Sequence, residues 1–100
     1  MEKIKKYSKM MIDEIRSANE YIDMACKYKS ANSDLAEDFA DIAKQELHHK
    51  DIIGKALRDY IEDCEEENGK SAKLETIYDF IIDINADMEA PVIAKLKIFE

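Results

Sequence analysis

Glu14, Glu46 and His49 stand at positions where a helical apolar stripe calls for leucine-like side chains. Burying a carboxylate is costly unless it is paired or coordinates a metal. Glu46 and His49 are three residues apart, which on a helix is one turn and the same side. Carboxylate oxygens with an imidazole nitrogen form a donor set suited to iron, manganese or zinc. In a two-metal site the carboxylates bridge the cations and neutralise their charge, and one imidazole caps each metal. One chain holds too few such ligands, because its only 2 histidines, His48 and His49, are adjacent. The shortage predicts that a second copy of the chain, related by a two-fold axis, completes the site with its own Glu14, Glu46 and His49.

The elements that must position these residues are helices. Ile4, Tyr7, Met11, Ile15, Ala18, Ile22 and Ala25 recur at three- and four-residue steps and predict a first helix over about residues 3–29. A break at Ser30-Ala31-Asn32-Ser33 follows, and Asp34 reads as an N-cap with Glu37 completing a capping box. The second helix extends over about residues 34–64, carrying Leu35, Phe39, Ile42, Ala43, Ile53, Leu57 and Ile61. Gly69 is a natural terminator and Ser71 caps a third helix over about residues 71–99, which Pro91 should kink. The run Glu65-Glu66-Glu67 is expected to lie in solvent.

At about 100° per residue, Glu14 falls within the arc of Met10, Met11, Ala18, Tyr21 and Ala25. Glu46 falls on the line of Leu35, Phe39, Ile53 and Leu57, His49 at its edge, and His48 on the opposite side. The short break implies an antiparallel hairpin. Counted from that break, Glu14 and the Glu46–His49 pair lie within roughly one turn of the same level at ~1.5 Å per residue. The third helix offers no second pair, since Glu75 and Glu89 are followed three residues later by Tyr78 and Val92.

Composition sets the frame. One hundred residues with only 2 Gly and 1 Pro make a single domain of long helices, with no strand signal. Such a chain has little interior, which favours self-association. A net charge of -8 argues against nucleic acid and for attraction of cations. No apolar run approaches the ~20 residues that span a bilayer, so no membrane partner is expected. The N-terminus lacks the apolar segment of a secretory signal, which predicts a cytoplasmic protein whose Cys26 and Cys64 stay reduced.

The segments MIDEIRSANEYIDMA and DLAEDFADIAKQELHHKDII, within roughly residues 8–62, resemble the ferritin-like superfamily, and among its members the short encapsulated ferritins. The resemblance implies an all-α fold: an antiparallel two-helix hairpin plus a third C-terminal helix, dimerising into a ferritin-like four-helix bundle. It also implies a ferroxidase centre oxidising Fe(II) to Fe(III) for iron storage or detoxification. Glu14, Glu46 and His49 would be both metal ligands and catalytic residues. Tyr21, two turns on from Glu14, would support them. The di-iron centre would be shared by two chains, with zinc, manganese or calcium as substitutes. The chain itself is the expected partner, in a two-fold dimer or a larger ring, along with an encapsulin-type shell protein that would place it inside a nanocompartment. Glu20 stands where the family carries a tryptophan, and no Gly-Ser-Leu-type shell-addressing tail is evident. A competing expectation is a metal-free helical module that docks a partner through Tyr78, Phe80, Ile81, Ile84 and Phe99 of the third helix.

Overall fold

A computed structural model describes all 100 residues and contains three α-helices and no strand. Helix α1 spans Glu2–Tyr28, α2 Ser33–Asn68 and α3 Ala72–Phe99. No helix is long and apolar enough to cross a membrane.

The helix ends follow local chemistry. Asn32, not Asp34, is the N-cap of α2: its backbone is extended and its side chain accepts a hydrogen bond from the Leu35 N–H at 3.1 Å. The break is therefore two residues shorter than the Asp34 capping box implies, and Asp34 becomes an acidic first-turn residue at the positive end of the helix dipole. Ser71 caps α3 as expected, accepting from the Leu74 N–H at 3.1 Å. Gly69 ends α2 with φ of 87°, a left-handed conformation that side chains resist, and donates its N–H to the Glu65 carbonyl. Helix α3 continues through Pro91 without a break in its helical run.

Helix α2 runs antiparallel to α1, as Glu14 beside His49 and Lys3 over Tyr60 demonstrate. Helix α3 lies parallel to α1, with Lys95 bonded to Asn19, and antiparallel to α2, with Lys50 paired to Glu89 and Arg58 to Glu75. The result is a rod of 56 × 18 × 18 Å. Its interior is thin, with only 17 of 100 residues buried.

Two core clusters fill the space enclosed by the three helices. Ile15, Ala18, Ile22 and Ala25 of α1 meet Ala40 and Ala43 of α2 and Val92 and Leu96 of α3. Ile4 and Met11 meet Leu57, Ile61 and Ile81 at the other end. Small residues let α1 and α2 approach closely: a Cβ on Gly54 would lie 3.1 Å from Met11 Cε. Between the clusters sits Asn85, 2% exposed, its amide donating to the Ile81 carbonyl and its Oδ1 without a partner.

Candidate metal centre

The single apolar face expected on each hairpin helix is two adjacent stripes. The inner one (Ile4, Met11, Ile15, Ala18, Ile22 and Ala25 on α1; Ala36, Ala40, Ala43, Gly54, Leu57 and Ile61 on α2) is buried under α3. One position earlier on each helix runs a second stripe that nothing in the chain covers. On α1 it reads Tyr7, Met10, Glu14, Ser17, Tyr21, Met24 and Tyr28, and on α2 Leu35, Phe39, Ile42, Glu46, His49, Ile53, Ala56 and Tyr60. Every member is half-buried or exposed. Both stripes alternate three- and four-residue steps, the spacing of a helix seam that packs against other helices.

Glu14, Glu46 and His49 lie together in the middle of this open seam. One potential ligand atom from each residue falls within 4.8 Å of the other two. His49 Nδ1 is 3.7 Å from Glu14 Oε2, too long for a hydrogen bond. An ion ~2.1 Å from each donor requires them within ~4.2 Å of one another. The side chain of Glu14 is 25% exposed and that of His49 51%. His48 faces solvent, away from the group.

The electrostatics of the trio are those of ligands without a counter-charge. Glu14 Oε2 is buried and has no hydrogen-bond partner. The carboxyl of Glu14 is held above its ordinary pKa, chiefly by the facing Glu46 carboxyl and next by burial, while His49 pulls it down without cancelling them. Two carboxylates turned towards one another beside an imidazole form a site that a divalent cation would relieve.

Neighbouring residues fix the frame around the trio. Tyr21 stacks on Phe39 with ring centroids 6.1 Å apart, and Phe39 stacks in turn on Tyr28. Tyr21 makes no hydrogen bond to Glu14 or Glu46; it braces the seam one side of the site through this aromatic column. Lys50, next to His49, turns inward and pairs with Glu89 of α3 and, at 2.6 Å, with Asp51. Burial pulls the Lys50 pKa down, and the two carboxylates outweigh it, so the net shift is upward. This pair pins α3 at the level of the trio. The signal for it was a lysine on the inner stripe three residues after Leu47 and four before Gly54.

A second correction concerns Glu65, expected in solvent. It is 8% exposed, accepts from the Ser71 N–H at 3.0 Å and contacts Arg58. Arg58 also grips Glu75 through two bonds of 3.0 and 2.8 Å and stacks over Tyr78. This cluster ties the end of α2 to the start of α3. Cys26 and Cys64 are unbonded thiols.

Of the residues expected to dock a partner on α3, Ile81 is buried in the chain's own core and Tyr78 lies under Arg58. Phe80 stays 64% exposed. Comparison of the chain with protein-family models, with curated proteins and with solved structures finds no match.

Proposed function

We propose that two copies of this chain pack their open seams together into a four-helix bundle and bind a pair of divalent metal ions between them. In this reading the protein is a ferritin-like ferroxidase. The observation that carries it is the trio of Glu14, Glu46 and His49: three potential ligand atoms within 4.8 Å, in the middle of an uncovered apolar seam. A two-fold axis through the middle of that seam doubles the trio to four carboxylates and two imidazoles. That is the complement of a di-iron carboxylate site in a helical bundle. The thin interior of the isolated rod supports the same conclusion, since pairing the seams would bury Tyr7, Tyr21, Phe39 and Ile53.

The chain's own residues have distinct tasks. Glu46, beside Glu14 and one turn from His49, would hold the ions with a carboxylate from α2. Glu14 would supply a carboxylate from the facing helix, and His49 an imidazole nitrogen. Four carboxylates balance two Fe(II) ions and favour the more highly charged Fe(III) product. Each Fe(II) is a substrate that gives up one electron to an oxidant of the dioxygen or peroxide class. The aromatic column of Tyr21, Phe39 and Tyr28 would cover one end of the site once the seams are paired.

Anaerobic Fe(II) titration tests the proposal. The expected stoichiometry is about one ion per chain, lost in Glu46→Ala and His49→Ala. An unchanged stoichiometry in both variants refutes it. The rival reading, a metal-free module, is favoured by exposed Phe80 and Ile98 on α3. It requires a mass and a Tm that do not respond to Fe(II) or Zn(II).

A further inference from the structure

On the far side of α1 from the open seam, a groove of about 420 Å³ runs between α1 and α3. Met1, Ile4, Ile12, Ile77 and Ile81 form its apolar lining. Its α1 edge carries Lys5, Lys9 and Arg16, with Asp13 the one acidic residue along it. Next to the groove, α3 raises an apolar ridge: Phe80, 64% exposed, and half-buried Ile84 one turn on. Exposed Asp79, Asp83 and Asp87 flank that ridge. None of these three acids and none of the three cations takes part in an ion pair within the chain. A hollow with a positive edge thus adjoins a ridge with a negative edge, and both sets of charges are unspent.

We propose that a second copy of this chain covers this face, its α3 lying antiparallel across the groove with Phe80 in the hollow. The internal register fixes the pairing. Helix α3 runs beside α1 with Lys95 bonded to Asn19, 76 positions apart, so Ile81 is level with Lys5 and Asn85 with Lys9. Turning a second α3 end for end about Ile84 sets its Asp87 level with Lys5 and its Asp83 level with Lys9. Its Phe80 then falls level with Ile12, and its Asp79 level with Asp13 and three residues from Arg16, the one like-charge meeting in this register. A two-fold axis makes every contact twice, as a self-complementary patch requires. Opposed charges at the edges set the register and the apolar centre supplies the affinity. This contact uses the face opposite the metal seam and does not depend on the metal reading.

Sedimentation equilibrium in chelator-treated buffer, over micromolar concentrations, decides the matter. The wild type should associate, and Phe80→Glu and Lys9→Glu should each raise the dissociation constant of this contact about tenfold or more. The double variant Lys9→Glu with Asp83→Lys should restore association. Phe80 and Lys9 are exposed, so helical content by circular dichroism should match the wild type in every variant. Equal masses for wild type and Phe80→Glu at all concentrations overturn the proposal, as does a wild type that remains a single copy. Fe(II) stoichiometry of Phe80→Glu should equal that of the wild type, so failure of this contact and failure of the metal site are read separately.

Discussion

Glu14, once ionised, is opposed by its surroundings within the chain. Its carboxyl titrates above the ordinary value because Glu46 faces it and burial strips its water. For a raised carboxyl the sign is fixed. The benefit of protonation is full below the unfolded value of ~4.3 and is lost as pH rises through the higher folded value. At neutral pH, without metal, the ionised Glu14 therefore costs stability. Glu14→Gln should raise the metal-free Tm at pH 7 by ~2–4 °C, equivalent to ~0.5 kcal/mol in a chain of this size. If the trio holds metal as proposed, the same variant should also lose the Tm gain expected of the wild type with Fe(II) or Zn(II). Thermal scans with chelator and with metal check both halves, and a lower metal-free Tm would contradict the repulsion. Glu75 behaves in the opposite sense. The bidentate Arg58 guanidinium holds its carboxyl down at about 2. Its contribution is present above the unfolded value and is lost as pH falls towards 2. Arg58→Met should flatten the dependence of stability on pH between ~4.3 and 2, as acid titration of circular dichroism would reveal.

At the scale of the helices, the inner stripe combines close approach with one misfit. Gly54 lets Met11 lie against α2, so Gly54→Val should overpack the contact and cost ~1–3 kcal/mol in urea unfolding. Asn85 is the misfit, a buried amide whose Oδ1 meets no donor. A leucine of similar shape removes the orphaned acceptor and adds apolar burial. Asn85→Leu should therefore stabilise the chain by ~1 kcal/mol, or ~4–8 °C in Tm. A destabilised variant would mean that the amide is matched in solution. A buried amide at a seam position also fixes helix register in coiled coils, and Asn85 sits where α3 passes between the two core clusters.

The whole molecule is a rod with two apolar faces left open, the hairpin seam and the groove beside Phe80. If the seam is shared, adding Fe(II) should shift the molar mass of Phe80→Glu, which lacks the groove contact, from one copy towards two. Tm should rise with metal concentration by mass action, by ~2.7 kcal/mol of stability at a hundredfold excess over Kd. Glu46→Ala should show neither change. Light scattering and thermal scans on the same samples provide the test.

Helix periodicity and the short break determined the three helices, the antiparallel pairing of α1 with α2 and the depth at which Glu14, Glu46 and His49 meet, because i, i+3 and i, i+4 spacing and a short break are local properties; the direction of α3 was not among them. Ser71 and Gly69 were legible for the same reason: a cap and a left-handed terminator act within one turn. Asn32 in place of Asp34 was not, since two side chains suited to capping stand two residues apart and only the backbone turn selects one. The division of a broad apolar arc into a buried inner stripe and an open seam also lay beyond the sequence. Periodicity gives a direction around one helix but not the helix that fills it. Helix α3, pinned by Lys50–Glu89 and by Arg58 with Glu65 and Glu75, made that choice, and left the three ligand-type side chains on the face that it does not cover.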